Sequence, residues 1–168
     1  NTDGSISVVD HRPGAPDGTD TLLNIERIDF SDSVLAFDFN GNAGDAYRIY
    51  QAAFDRTPDA GGLTFWVEQA DKGMDMISMA ARFIDSTEFR QLYGSSPTDM
   101  QFVDLLYQNV LHRDPDQGGY DYWIGQMDHG MSEAEVLARF SDSTENRADV
   151  VGIISAGIEL NPAGDYSN

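Results

Sequence analysis

The sequence predicts a mainly α fold: a tandemly duplicated helical module of about seven to eight helices with a short N-terminal β segment. Three observations carry this. The chain matches itself in one register, at an offset of 57 residues. Each copy places apolar residues at helical spacing between capping signals. The first ~40 residues change character, to short β-branched and aromatic runs between turn residues.

The repeat is specific. Tyr50 and Gln51 return as Tyr107 and Gln108, and residues 56–62 return as 113–119, keeping Arg, Pro, Asp and a Gly pair in place. Trp66 maps to Trp123, Gly73 to Gly130, Phe83 to Phe140, and Asp-Ser-Thr-Glu at 85–88 to the same four residues at 142–145. Roughly half of ~40 positions agree without a gap, which marks a duplication. Repeat one covers about residues 45–94 and repeat two about 98–154, within a helical domain at 41–160. Residues 1–40 form the β segment, and 161–168 read as a flexible tail.

Within each copy the first helix carries an i, i+3, i+4 stripe: Ala46, Ile49, Tyr50, Ala53 and Phe54, then Val103, Leu106, Tyr107, Val110 and Leu111. Thr98 and Gln101 form a capping box ahead of the second of these. After a Pro-Asp turn, Asp59 and Asp116 are placed to cap the next helix. Its stripe is Leu63, Trp66, Val67 and Ala70, or Tyr120, Trp123, Ile124 and Met127. Gly73 and Gly130 close it, behind Lys72 and His129. A third helix opens at Asp75 or Ser132, the latter boxed with Glu135. A fourth is expected to start at Asp85 or Asp142, burying Phe89, Leu92 and Tyr93 in the first copy and running into 150–154 in the second.

In the β segment, Asp3-Gly4 and residues 16–20 are turn material. Residues 6–9, 25–30 and 34–39 read as two or three short strands.

Composition excludes several functions. Ten basic against 29 acidic residues give a net charge of −19. Such a surface repels phosphate backbones and anionic lipid, so nucleic acid is not an expected partner. No run approaches the ~20 apolar residues of a membrane span. With no cysteine there is no disulfide, thiolate metal site or cysteine nucleophile. Asn1-Thr2-Asp3-Gly4 lacks the basic and apolar regions of a signal peptide and reads as a cut inside a longer protein.

Gly18-Thr19-Asp20-Thr21-Leu22, followed by residues 24–32, resembles the end of a calcium-binding RTX nonapeptide β-roll. The duplicate, with Arg-x-Pro-Asp-x-Gly-Gly-x-x-x-Trp and Asp-Ser-Thr-Glu, resembles a helical domain family of unknown function found near the C-termini of RTX proteins exported by type I secretion. A looser similarity runs to the phycobilisome linker domain. The resemblance implies an extracellular, secreted or surface-associated location, calcium as the cofactor through Asp17, Gly18 and Asp20, and a non-catalytic role.

The residues themselves weigh the candidate sites. Arg56 and Arg113 precede a Pro-Asp turn, and Glu88 and Glu145 recur in a helix-start motif. An Arg–carboxylate pair within each repeat, to that glutamate or to Asp85 or Asp142, is expected to lock the turn. Trp66 and Trp123 fall in the apolar stripe and are expected in the core. Phe65, Tyr93, Tyr120 and Tyr122 lie on stripe edges and are the candidates for an exposed ligand-binding platform. Gly61-Gly62 and Gly118-Gly119 lack the lysine and strand of a nucleotide loop, so close helix packing explains them better. Asp114, Asp116 and Asp121 fail the EF-hand spacing. His11, His112 and His129 show no metal-ligand spacing, and no hydrolase motif is present, so no catalytic residue is expected.

The leading expectation is a non-catalytic extracellular module attaching to cell-surface or matrix polysaccharide, joined to the remainder of a larger chain. The alternatives are a folding and secretion scaffold that caps a calcium β-roll, and an accessory domain of a secreted hydrolase.

Overall fold

The structure is a computed structural model and describes residues 5–14, 16–162 and 164. It is mainly α, with eight helices among the described residues. Two short antiparallel sheets accompany them. In the first, β1 (Ile6–Val9) pairs with β2 (Thr19–Leu22), setting Ile6 opposite Leu22. In the second, β3 (Arg27–Asp29), β4 (Val34–Ala36) and β5 (Ile158–Leu160) lie in that order. Thr19 and Asp20, expected in a turn, open strand β2 instead, because Gly18 at φ +73° completes the reversal before them. Strands β3 and β4 are shorter than the runs that announce them. The expected Asp3-Gly4 turn lies outside the described residues.

The helices follow the duplication residue for residue. Helices α1 (Asn42–Phe54) and α5 (Asp99–Leu111) are offset by 57 positions, as are α2 (Ala60–Asp71) and α6 (Gln117–Asp128). So are α3 (Met76–Ile84) and α7 (Glu133–Ser141), and the starts of α4 (Thr87–Tyr93) and α8 (Thr144–Ile154). Side-chain caps set most of the starts. Asp59 and Asp116 accept from the N–H of Gly62 and Gly119, Asp75 accepts from Ser78, and Thr98–Gln101 and Ser132–Glu135 form complete capping boxes. The fourth helix differs from expectation. Ser86 and Ser143 cap it, accepting from Phe89 and Asn146, while Asp85 and Asp142 end the preceding helix. One residue suffices for that corner, and the serine hydroxyl reaches the third N–H of the turn.

The core runs along α1 and α5. Ala43, Ala46, Ile49, Ala52 and Ala53 are inaccessible on α1, as are Phe102, Val103 and Leu106 on α5. The alanines let α3, α5 and α7 approach α1 closely, and α3 and α7 pack across the join between repeats. Phe83 and Phe140 occupy equivalent buried positions. Truncating either to alanine would cost about 3–5 kcal/mol.

The copies diverge at α4 and α8. Phe89 stacks on Tyr93 with centroids 4.1 Å apart, and both are buried, whereas Leu92 is exposed. The equivalents of Phe89 and Tyr93 in α8 are Asn146 and Val150, also buried. The chain then returns to the N-terminal sheet as β5, burying Ile158 and Leu160 and exposing Glu159. Asn161, expected in a loose tail, donates its backbone N–H to Thr64 Oγ1 at 2.8 Å. The tail positions 163 and 165–168 lie outside the described residues.

Candidate functional site

Each repeat holds an arginine–glutamate clasp. Arg56 Nε donates to Glu88 Oε1 at 2.7 Å and its Nη2 to Oε2 at 3.3 Å. In the second copy Arg113 makes the same pair of bonds to Glu145, at 2.7 and 2.8 Å. Planar bidentate pairing suits guanidinium, and it raises the pKa of both arginines and lowers that of Glu145. The neighbouring aspartates take other partners: Asp85 pairs with Arg90, and Asp142 with Arg147 and Arg48. Both arginines also lie over the ring of the repeated tyrosine, Tyr50 at 5.1 Å and Tyr107 at 4.9 Å.

Behind the clasp, Tyr50 donates its hydroxyl to Asp59 at 2.6 Å, and burial followed by this carboxylate pushes its pKa up to about 12. The hydroxyl explains the second glycine of each pair. A Cβ on Gly62 would meet the Tyr50 hydroxyl at 2.9 Å, and one on Gly119 would collide with the Tyr107 hydroxyl. The glycines admit a tyrosine, as close packing requires, and cradle no phosphate. Every donor in the clasp has an acceptor within its own repeat, so it locks the Pro-Asp turn onto the α4 or α8 start.

The four aromatic candidates divide. Tyr93 is buried at 2% exposure and donates to the Ala52 carbonyl at 3.0 Å, so it is a core residue and not part of a platform. Tyr120 is half-buried against the core. Phe65 and Tyr122 are exposed, at 39% and 51%, each edge-on to the adjacent tryptophan at 5.0 Å. They occupy equivalent positions on α2 and α6, which pack on different neighbours, α2 on α1 and β5, α6 on α5 and α7. Trp66 and Trp123 are half-buried, flanking Phe83 and Phe140 at 4.6 and 5.6 Å, at the core's edge and not within it.

At the N-terminal hairpin, Arg12 bridges two acids. It bonds Asp10 at 2.9 Å and also reaches Asp17. These bonds hold Asp10 well down, to about 2. The Asp17 carboxylate is thus paired with a guanidinium, and Asp20 stands in β2. Among the described residues no three His, Cys, Asp or Glu side chains converge on a point.

The spacing argument missed Arg48. It is 2% exposed, donates to the Phe39 carbonyl at 2.7 Å and to Asp142 at 3.0 Å, and pairs with Asp45. Arg147 joins Asp142 at 2.6 Å and Asn40 at 2.9 Å, so one cluster ties the residues after β4 to both repeats. Burial lowers the pKa of Arg48 and raises that of Asp45. Repetition cannot reveal this residue because Leu105 stands at the equivalent position. The helical pattern cannot reveal it either, because Arg48 falls on the face of α1 opposite the apolar stripe and reads as an exposed polar position.

Residues 80–150 match the family described as Domain of unknown function (DUF4214). The matched span starts within α3 and ends within α8, covering the end of the first repeat and most of the second. No curated protein and no solved structure matches the chain.

Proposed function

We propose that this chain is a non-catalytic module of a larger secreted RTX-type protein, in which the helical duplicate caps a calcium-binding β-roll. One observation carries the reading. The β segment leaves four large apolar side chains exposed: Val9, Leu23, Ile25 and Phe30 are 44%, 62%, 39% and 38% exposed. A two-stranded hairpin is marginal alone, so these residues suit a surface on which further β turns stack. The addition of β5 to the same segment, at β4, supports a body built to terminate it. Neighbouring turns of a roll would also supply the calcium ligands that Asp17, Gly18 and Asp20 lack here.

The test is deletion of residues 41–150 from the full-length protein. The expected result is loss of export and of calcium-induced β structure; export and calcium response at the intact level would refute the cap.

Exposed Tyr122 favours a second reading, attachment to cell-surface or matrix polysaccharide. Eight of the ten basic side chains are in ion pairs, which leaves little for an anionic chain and favours a neutral one. A glycan array probed with and without calcium, using the intact chain and Tyr122→Ala, decides it. Glycan binding lost in the variant is expected, and an array blank in both conditions rejects attachment.

A further inference from the structure

The chain passes from β4 to α1 through the only Asn-Gly step in its sequence, Asn40-Gly41. The fold requires the glycine. A Cβ on Gly41 would meet Asp38 Cβ and Oδ2 at 3.2 Å, and the Gly41 N–H donates to the Asp38 carbonyl at 2.9 Å. No such demand falls on Asn40. That side chain is exposed, and among the described residues its one hydrogen-bond partner is Arg147, whose Nη1 donates to Oδ1 at 2.9 Å.

Asparagine ahead of glycine is the combination most prone to lose its side-chain amide, because no Cβ shields the glycine nitrogen. Arg147 acts on both ends of that reaction. Its guanidinium draws electron density from the Asn40 amide carbon and donates to the oxygen that gains charge as a nucleophile adds. It is also placed to receive the product, since a carboxylate at residue 40 would turn the same contact into a charge-assisted bond. That carboxylate would stand just ahead of the positive end of a 13-residue helix whose N-cap, Gly41, supplies no side-chain cap. An acid therefore fits this position better than the amide does. Arg147 lies 107 residues away in sequence, so only the folded chain brings the two together.

We propose that Asn40-Gly41 is a self-modification site, at which the folded chain converts Asn40 to an acidic residue that Arg147 then binds. The Gly41 nitrogen attacks Asn40 Cγ and gives up its proton to solvent, the Cγ–Nδ2 bond breaks, and ammonia leaves. The cyclic imide so formed suspends the hydrogen bond from Gly41 to Asp38. Water opens the ring at either carbonyl, restoring the Gly41 N–H and leaving aspartate or isoaspartate. One water is consumed and one ammonia released, with no oxidation or reduction. Arg147 also holds Asp142 at 2.6 Å, so the gain is that of a shared, partly exposed pair. The new charge falls where the residues after β4 meet the second repeat, and this joint tightens after the chain has folded.

The experiment ages the intact folded chain at mildly alkaline pH and locates the mass gain of amide-to-acid conversion by peptide mapping. The expected result is conversion at Asn40 ahead of the other asparagines, about tenfold slower in Arg147→Met, the size of one charge-assisted hydrogen bond. Asn40→Asp, which carries the product from the start, raises Tm by roughly 2–4 °C, and most of that gain vanishes in an Arg147→Met background. Retained helical circular dichroism shows that each variant folds; if Arg147→Met does not fold, the Asn40→Asp comparison carries the test. The proposal is overturned by an Asn40 that stays intact in the folded chain, by conversion at an equal rate in Arg147→Met, or by an Asn40→Asp chain no more stable than its parent.

Discussion

Arg48 donates to Asp142 across 94 residues of chain, at 3.0 Å. That bond ties α1 of the first repeat to the α7–α8 corner of the second, and the same guanidinium holds the Phe39 carbonyl after β4. Among the described residues its buried Nε has no hydrogen-bond partner, nor has the buried Oδ1 of Asp38.

Arg48→Met should therefore destabilise strongly. It leaves the Phe39 carbonyl and the Asp45 carboxylate without this donor, while Asp142 keeps Arg147; Asp45 and Asp142 are about a third exposed, which softens the loss. The expected cost is about 3 kcal/mol, at the low end for a broken buried pair. A fall in Tm of roughly 6–12 °C by calorimetry corresponds to it. A drop of only a degree or two would show that the cluster is decorative.

The two clasps should differ in weight. Arg113 is 37% exposed and bonds chiefly to Glu145, so Arg113→Met should lower stability by about 1 kcal/mol, less in molar salt. Arg56 also donates to the Tyr50 hydroxyl at 3.0 Å and lies 5.8 Å from the Phe54 centroid. Arg56→Met should cost more than Arg113→Met in urea denaturation, and the reverse order would contradict the geometry.

The glycine argument is open to a double-mutant cycle. Gly119→Ala drives a methyl into the Tyr107 hydroxyl, a cost of about 1–3 kcal/mol for overpacking. In a Tyr107→Phe background most of that cost should vanish. Additive losses would place the strain elsewhere.

A pH series separates the clasp from the total charge. Arg113 lowers the pKa of Glu145 below its ordinary 4.5, so the folded state favours the ionised carboxylate. Its contribution is present above pH 4.5 and is lost as the pH falls through the lowered folded value. The stability gap between the intact chain and Glu145→Gln should be constant near neutrality and close below about pH 4.5. A gap that widens on acidification would reverse the sign and remove the clasp as its source.

Most helix starts were legible because caps are local: Asp59, Asp75, Asp116, Thr98 and Ser132 each act within three residues of their own position. Repetition made the clasps legible too, by marking Arg56 with Glu88 and Arg113 with Glu145. Features that depend on distant chain were not. Strand β5 is three residues long, too short to announce itself, and finds its partner more than 120 residues earlier. Tyr93 falls both among the residues its helix is expected to bury and among the edge aromatics, and Phe102 with the Ala52 carbonyl, from distant chain, decides for burial. Arg48 escaped for the opposite reason to the clasps: it occurs in one copy alone.

The three-stranded sheet also decides how the module would bear a load. Strands β3 and β5 both run antiparallel to β4, so they run parallel to each other. Tension arriving from upstream enters at Arg27, and tension from downstream leaves at Leu160, at opposite corners of the ladder. The sheet is pulled in shear, so its hydrogen bonds resist together and do not unzip one by one. All eight helices lie in the loop between β4 and β5, outside that line of force. Under such a load the sheet would act as a mechanical clasp and shield the helical body from stretch until it gave way.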